Sequence, residues 1–265
     1  MIVDKINAYL SSTGKSVDAA LLEETGKLAS YAFSRQFGVR EERKQSTPYF
    51  SSIGKCLRQQ AYNILGFEQD GKEIDARSKM VFFMGDVAEL AVVQLCKQAG
   101  IAVEDTGFEQ ESVELKGMRG RPDGIVAGTH VLEVKSMSSF SFRDFEKGEL
   151  DTGYRYQCNA AMEALKRSHT VIVALNKDAG VLAEMVIEKD PTIVEDIFYR
   201  IDTLKKATKE SLPARPYAAD AKGFYPWQCL YCAFHNVCQP TAEKVLVSGK
   251  YKLKEVSKNA APATR

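Results

Sequence analysis

The stretch 121-RPDGIVAGTHVLEVKS-136 decides the predicted fold, because it consists of two short apolar segments joined by one turn-like tetrapeptide. Gly128 lies in that tetrapeptide, AGTH. If the hairpin is centred on Gly128, Asp123 and Glu133 are equally distant from the turn and lie opposite each other on the same face. The pattern therefore predicts a hairpin that brings two carboxylates together.

The second segment of this hairpin has a polar face and an apolar face. Strand side chains alternate, so Glu133 and Lys135 share one face, while Leu132 and Val134 point to the core. Two opposed carboxylates repel, and a divalent cation between them removes that repulsion; hard oxygen ligands suit Mg²⁺ or Mn²⁺. Lys135 could then orient or deprotonate an attacking water, or stabilise developing phosphate charge. A solvent-facing strand edge would carry the same charges, so both interpretations stay open.

The composition is that of a folded protein with one or two domains. The chain has 265 residues, of which 45% are hydrophobic and 27% charged, and its formal net charge is +1. Any basic surface for nucleic acid must therefore be local. No apolar run reaches the roughly 18 residues that a membrane helix needs, and the first residues do not resemble a secretory signal. The six cysteines indicate a reduced interior. We expect a cytoplasmic protein of a bacterium or a phage-infected cell.

Helical and strand-like patterns alternate along the chain without an internal repeat, which predicts an α/β or α+β fold around one central mixed sheet. Helices are predicted around residues 16–38, 56–67, 78–100, 141–150, 154–167 and 191–210. Strands are predicted around residues 107–117, in the two halves of the hairpin, and over residues 170–176 and 181–188. The lysine-rich end of the chain predicts a basic, flexible tail over 246–265.

The segments RPDGIV and LEVK resemble the signature of the PD-(D/E)xK nuclease superfamily, with Pro122 and Asp123 followed by Glu133, Val134 and Lys135. The resemblance implies a restriction-endonuclease-like core, that is, a central mixed sheet flanked by helices. It also implies metal ligation by Asp123 and Glu133, with help from the Val134 carbonyl, and a catalytic role for Lys135.

A further motif, typical of the RecB-like branch of that superfamily, is also present. This branch has an acidic residue or histidine on a preceding helix, four residues after a glycine, and GDVAE supplies Gly85 and Glu89. The resemblance makes Glu89 a further metal ligand. From the residues alone, a charge within a mostly apolar helix calls for a metal or cationic partner, although an exposed helix face would also accommodate Glu89.

The RecB-like branch further carries a glutamine at the start of a helix, four residues before a tyrosine. The segment YQCNAA supplies Gln157, which the resemblance makes a catalytic residue, but Ala161 stands where the tyrosine is expected. Tyr154 or Tyr156 could substitute for it.

The segment CLYCAFHNVC places Cys229, Cys232 and Cys238 at C-x2-C-x5-C spacing, which is typical of metal ligands. His235 could complete a zinc site locally, and Cys56 could complete a cluster from a distance. One cysteine before the core and this triplet after it resemble the layout of RecB-like nucleases of the AddB type and of CRISPR-associated exonucleases. That resemblance implies a [4Fe–4S] cluster on the four cysteines, which clasps the two ends of the nuclease domain.

The remaining cysteines, Cys96 and Cys158, lie in apolar or helical runs and are predicted to be buried small hydrophobes. With the resemblance included, the predicted organisation is a helical extension over 1–45, a nuclease domain with its cluster over 46–245, and the tail.

Basic and aromatic residues surround the predicted site, as suits phosphates and stacked bases of single strands. We expect DNA contacts from Arg119, Arg121, Arg143, Arg155 and Tyr156, within a wider set that includes Lys116, Lys147, Phe140, Phe142 and Tyr154. A solvated helix face with some buried rings would show the same residues.

The sequence thus predicts a Mg²⁺- or Mn²⁺-dependent DNA exonuclease that acts on single-stranded or unwound ends in recombination or repair, with no membrane association and an unidentified partner protein. Two alternatives remain: a nuclease-fold protein that binds nucleic acid without cutting it, and a zinc-stabilised interaction module.

Overall fold

The computed structural model describes residues 1–13, 16–38, 47–71, 75–107, 110 and 112–256. These residues form two compact units. Unit 1 contains the described residues of 1–38, 47–54 and 75–201, and unit 2 contains 55–71 and 202–256. The predicted boundary at residue 45 lies outside the described residues.

Ten helices are assigned within the described part of the chain. They are α1 (Ile2–Ser11), α2 (Ala19–Phe37), α3 (Phe50–Ile53), α4 (Leu57–Ile64), α5 (Ala76–Gln98), α6 (Ser139–Glu146), α7 (Thr152–Ala164), α8 (Pro191–Lys206), α9 (Trp227–Leu230) and α10 (His235–Cys238).

The strands of the same residues are β1 (Val103–Glu104), β2 (Val113–Leu115), β3 (Met118–Gly120), β4 (Gly124–Val126), β5 (His130–Met137), β6 (His169–Asn176), β7 (Val181–Glu188), β8 (Ala242–Val247) and β9 (Lys250–Glu255). The predicted helices and strands are therefore present, except that the strand expected over 107–117 contributes only β2.

A five-stranded mixed sheet forms the centre of unit 1, in the order β1-β4-β5-β6-β7. Strands β5 and β6 are parallel, and the other neighbouring pairs are antiparallel. The parallel pair is connected through α6 and α7, as the crossover between parallel strands requires. The predicted α/β class with a central mixed sheet flanked by helices is confirmed.

The hairpin β4–β5 has the predicted register. Gly124 pairs with Leu132 and Val126 with His130, so the hairpin is centred on Gly128, which adopts a positive φ of 66°. Strand β5 lies between β4 and β6 and is not an edge strand. The alternative of a solvent-facing strand edge is therefore wrong.

One face of the sheet carries an apolar core that includes Leu132 and Val134, as predicted. Helices α1 and α5 pack on this face, with Ile6, Val92 and Cys96 in the core cluster. Because side chains alternate along β5, Glu133 and Lys135 point to the opposite face of the sheet. On that face α7 contacts β5 and β6.

The ends of α5 are fixed by local chemistry. Asp75 is the N-cap, and its carboxylate accepts a 2.6 Å hydrogen bond from the Ser78 N–H. After the helix, Gly100 has a φ of 71° and its N–H donates to the Lys97 carbonyl, while the Ile101 N–H donates to the Cys96 carbonyl. These caps position the helix that carries Glu89.

The chain end differs from its prediction. Residues 246–255 belong to the β8–β9 hairpin of unit 2 rather than to a flexible tail, and residues 257–265 lie outside the described residues. Ser248 and Gly249 form the turn with φ values of 49° and 76°, the conformation that tight hairpins favour. Leu253 is fully buried, so the strand contributes a core residue that its lysine content obscures.

No helix in the described part of the chain combines the length and the apolar character needed to cross a membrane.

Candidate active site

Asp123 is fixed immediately before β4 by two hydrogen bonds to β5. Its backbone N–H donates to the Leu132 carbonyl at 3.2 Å, and its carboxylate accepts from the Val134 N–H at 2.7 Å. Gly124 is the ladder partner of Leu132, so two consecutive residues face one, which is the pattern of a β-bulge. The sequence had predicted that Asp123 and Glu133 pair directly. Asp123 instead forms its two hydrogen bonds with Leu132 and Val134, the residues on either side of Glu133.

Gly124 allows this arrangement because β1 passes close to it. A Cβ at this position would lie 2.9 Å from the Thr106 side chain and 3.0 Å from the Glu104 carbonyl oxygen, and φ is 157°. On the other side, the Gln110 side chain donates a 2.7 Å hydrogen bond to the Pro122 carbonyl. Asp123 is thus held from both flanks.

Glu133 is only 3% exposed and its partners come from β5 and α7. Lys135 Nζ donates to Glu133 Oε1 at 2.5 Å. Gln157 Nε2 donates to the same oxygen at 2.6 Å, while Gln157 Oε1 accepts from Lys135 Nζ at 3.3 Å. The structure therefore brings together three of the predicted catalytic residues. Gln157 lies in the second turn of α7 rather than at its start.

Tyr154 is the aromatic residue beside this group. The Lys135 ammonium lies 4.7 Å from the centre of the Tyr154 ring, and Tyr154 and Gln157 are three residues apart on one face of α7. Ala161 is buried in the core. Tyr156 instead donates a 2.6 Å hydrogen bond to Asp196, so of the two possible substitute tyrosines only Tyr154 contacts the candidate site.

Glu89 lies on α5 within electrostatic range of the hairpin carboxylates. Burial, then the charges of Asp86 and Glu133, raise the pKa of Glu89 to about 7, and the Arg35 and Lys135 cations oppose that rise. Glu89 is half-buried, so the alternative of an exposed helix face is wrong.

The pKa values of Asp123 and Lys135 show the charge imbalance of the site. Burial raises the pKa of Asp123 well above its ordinary value, and the charges of Glu133 and Glu89 raise it further. Burial alone would lower the pKa of Lys135, but the neighbouring Glu133 and Asp123 carboxylates outweigh burial and raise it. Lys135 is thus the cation that the hairpin supplies to the carboxylates of Glu89, Asp123 and Glu133. A bound metal cation would relieve the repulsion between these carboxylates.

The oxygen-rich donor set of Glu89, Asp123 and Glu133 fits a hard divalent cation. The Val134 carbonyl adds to this set, because the N–H and C=O of one strand residue point to the same side and this N–H faces Asp123. Among the described residues, however, no three His, Cys, Asp or Glu side chains are grouped closely enough to hold a metal ion as they stand.

A cleft between α2 and α5 includes Glu89, and its other polar residues were not predicted from the sequence. Arg35 forms an ion pair with Asp86, and the Gln36 side chain donates to Asp86 at 2.6 Å. The cleft is lined by Leu28, Tyr31, Ala32, Arg35, Asp86, Glu89, Leu90, Val93, Gly107 and Gln110. Because α2 lies outside the family resemblance, its sequence gave no signal for this contact.

The predicted DNA-contacting arginines lie on several elements of unit 1. Arg119, Arg121 and Arg143 are exposed, and Arg155 is half-buried. Arg119 is 3.8 Å from Glu114 on the paired strand. Of the wider aromatic set, Phe140 is 69% exposed, whereas Phe142 is buried in the core and cannot stack on a base. Lys116 lies over the Phe198 ring at 4.0 Å.

The four predicted cluster cysteines line one pocket of unit 2. Cys56 precedes α4, and Cys229, Cys232 and Cys238 come from α9, α10 and the loop between them. Burial, followed by the charges of the other three thiols, raises the pKa of Cys229 to about 11. Burial also raises the pKa of Cys56 and Cys232. Four soft donors in one pocket fit an iron–sulfur or zinc centre, although no three of them are already at metal-binding spacing.

His235, the alternative zinc ligand, has one ring nitrogen engaged. Its Nδ1 lies 2.8 Å from the Asp70 carboxylate and 3.0 Å from the Cys232 carbonyl oxygen. Asp70 also accepts a 2.8 Å hydrogen bond from the Asn236 N–H. Cys96 and Cys158 are buried in unit 1 as predicted, and burial raises the pKa of Cys96 to about 12.

No family model and no curated protein matches this sequence. Among solved structures, the chain is similar to the alkaline exonuclease LHK-Exo from Laribacter hongkongensis (16% identity, 66% of this chain and 90% of that chain, TM-score 0.47). It is also similar to SSO0001 (17% identity, 82% and 97%, TM-score 0.46) and to a phage-related exonuclease from Haemophilus somnus 129PT (13% identity, 76% and 91%, TM-score 0.33). These similarities assign no role to any residue of this chain.

Proposed function

We propose that this protein is a metal-dependent DNA nuclease, specifically an exonuclease that acts on single-stranded or unwound ends in recombination or repair. The observation that carries the proposal is the buried carboxylate of Glu133, which shares one oxygen between Lys135 and Gln157 while Asp123 and Glu89 add negative charge nearby. A site with this excess of carboxylates suits a divalent cation and a phosphate substrate.

Glu89, Asp123, Glu133 and the Val134 carbonyl would hold Mg²⁺ or Mn²⁺. The bound ion would supply Lewis-acid activation of water and of the phosphoryl oxygens. The protein residues supply position: the Val134 N–H and the Gln157 amide orient the Asp123 and Glu133 carboxylates, respectively. Fixed ligand geometry of this kind is what such a site requires from its protein.

Lys135 would stabilise the negative charge that develops on the phosphate and orient the attacking water. Its raised pKa keeps the ammonium protonated at neutral pH, which favours these roles over deprotonation of the water. Gln157 and Tyr154 hold the ammonium in place through a 3.3 Å hydrogen bond and a ring contact. Pre-positioned charge of this kind is a major source of rate acceleration.

Cys56, Cys229, Cys232 and Cys238 would hold a [4Fe–4S] cluster with a structural role. Burial raises the pKa of Cys56, Cys229 and Cys232, so these three thiols are protonated and poorly solvated at neutral pH, and a bound cluster would replace their protons. The shared pocket supports this proposal.

The test uses anaerobically purified protein with end-labelled linear and circular single-stranded DNA, and with linear duplex, each with Mn²⁺ or with chelator. We expect mononucleotide release from linear single strands in Mn²⁺, no cleavage of the circle, and no activity in Glu133→Gln. Cleavage of the circular strand would show endonuclease activity and contradict a pure exonuclease. Wild-type activity in Glu133→Gln would contradict the assignment of the active site.

A further inference from the structure

Strand β9 presents a row of lysines on one face of unit 2. Lys250, Lys252 and Lys254 alternate with Tyr251, Leu253 and Glu255, and strand side chains at alternate positions share a face. Successive lysines are therefore about 7 Å apart. They form a linear track rather than a single cationic point.

The partner strand leaves this track basic. The cross-strand partners of Lys250, Lys252 and Lys254 are Val247, Val245 and Glu243. One glutamate thus faces three lysines. Within the described part of the chain, none of the three lysines has a carboxylate within 4 Å of its ammonium group.

Two of these ammonium groups lie near the ring of Phe224. Lys252 Nζ is 5.0 Å and Lys254 Nζ is 5.5 Å from the centre of the Phe224 ring. The chain at Phe224 is bonded to the hairpin, since Phe224 forms a bridge with Lys254 and the Tyr225 N–H donates to the Leu253 carbonyl at 2.9 Å. Two cations held beside one ring repel each other, and an anionic ligand would relieve this repulsion.

Exposed aromatic rings lie in helix α9 and directly after it, and this helix contacts β9. Trp227 is 67% exposed and Tyr231, four residues later, is 78% exposed, and α9 packs against β9. An exposed ring offers a face on which an unpaired base can stack. Leu230, between them, is buried and anchors the helix.

We infer that β9 and α9 form an accessory binding surface for single-stranded nucleic acid, in which Lys250, Lys252 and Lys254 contact phosphates and Trp227 stacks on a base. Lysines combined with exposed rings are the chemistry that single strands require. The inference rests on the proposed function for the identity of the ligand as nucleic acid. It adds a surface in unit 2 to the arginines of unit 1.

The acidic neighbours limit which ligand fits. Asp220 has its pKa lowered by hydrogen bonds from the Phe224 and Lys222 N–H groups and by nearby lysine charges that include Lys252, and Glu243 lies opposite Lys254. These carboxylates interrupt the basic surface to either side of the row. A narrow single strand therefore matches it better than a broad anionic surface.

Trp227 is the sole tryptophan of the chain, so its fluorescence reports directly on stacking. The experiment titrates a thymine oligonucleotide into the full-length, anaerobically prepared Asp123→Asn protein, in which cleavage is blocked. We expect tryptophan quenching on binding. The triple variant Lys250→Gln/Lys252→Gln/Lys254→Gln, made in the same background, should bind about 10-fold more weakly and lower the salt slope of binding by about 2.

The matched control replaces three exposed lysines of unit 1, Lys5, Lys27 and Lys177, with glutamine and should bind as the parent does. With a dye-labelled oligonucleotide, Trp227→Ala should weaken binding about 5- to 100-fold, and Trp227→Tyr should restore most of it. Inorganic polyphosphate, which has no bases, should compete without quenching.

Equal weakening by both lysine triples, or binding without quenching, would overturn the accessory surface. Lysine-dependent binding to anionic lipid vesicles but not to the oligonucleotide would also overturn it. The two proposals fail separately. If the wild-type chain cuts DNA and the lysines of β9 are irrelevant, the surface is wrong and the nuclease stands. If quenching and lysine dependence hold without any cleavage by the wild-type chain, the surface stands and the nuclease is wrong.

Discussion

Gln157 on α7 donates a 2.6 Å hydrogen bond to the buried carboxylate of Glu133 on β5. The same amide accepts a hydrogen bond from Lys135 at 3.3 Å, so one side chain sets the positions of both charges. Within the proposed function, Gln157 positions the ligand Glu133 and the cation that faces the phosphate.

Gln157→Ala should lower kcat about 10- to 100-fold, the equivalent of losing hydrogen bonds to charged groups. KM for DNA should change little, because the amide touches protein charges. Steady-state cleavage of an end-labelled strand measures both constants. Thr152→Ala, an exposed position of the same helix, is the control. A change in KM alone would place Gln157 in substrate binding instead.

Asp123→Asn should abolish cleavage and stabilise the metal-free protein. Asp123 has a pKa raised by burial and by two neighbouring carboxylates, so its ionised form is disfavoured in the fold, and asparagine removes one charge from the group. Thermal unfolding in chelator should give a Tm that is a few degrees higher at neutral pH. Glu133→Gln is the contrast, because it leaves Lys135 without its main partner and should not stabilise. A lower Tm for Asp123→Asn would contradict the repulsion.

The stability of the metal-free protein should fall as pH rises from about 4.5 to about 7. Folding raises the pKa of Glu89 to about 7. Between its unfolded value and pH 7 the native state therefore binds more protons than the unfolded state, and stability decreases with pH. Urea unfolding in chelator at a series of pH values measures this slope. Glu89→Gln should flatten it, and saturating Mn²⁺ should reverse it. An unchanged slope in Glu89→Gln would return the pH dependence to other groups.

The sequence predicted the hairpin and its register because both depend on local patterns. A turn centred on Gly128 and period-2 alternation in β5 are sufficient to fix which residues share a face. The bulge at Asp123 was not predictable, since it depends on the close approach of β1 to Gly124 and on a hydrogen bond from Gln110. Both are contacts between segments that the sequence does not pair.

The contribution of α2 to the site was missed for a related reason. Arg35 approaches Asp86 and Glu89 only because α2 packs on α5, and no periodicity identifies which helix faces which. The lysine-rich chain end was predicted wrongly because its polar composition outweighs the weak sequence pattern of a short strand. The signals of the hairpin in this segment are one buried residue, Leu253, and the turn at Ser248 and Gly249.

Metal analysis distinguishes the cluster from zinc in unit 2. Protein prepared without oxygen should contain about four iron and four sulfide per chain, a brown colour, and an absorbance that oxygen bleaches. Cys56→Ala should lose iron, solubility and several degrees of Tm, although Cys56 lies far in sequence from the triplet, because binding of the metal centre is coupled to folding. Cys158→Ala, which alters a buried cysteine of unit 1, should retain the iron.

His235→Ala is the decisive comparison. A zinc site would need Nε2 of His235 as a ligand. A four-cysteine cluster would not need the His235 ring, whose Nδ1 would only keep its contact with Asp70 at 2.8 Å. His235→Ala should therefore keep its iron and lose only the stability of that contact, which Asp70→Asn should reproduce in part. Stoichiometric zinc without iron in wild-type protein, lost in His235→Ala and retained in Cys56→Ala, would replace the cluster with a zinc site on Cys229, Cys232, Cys238 and His235.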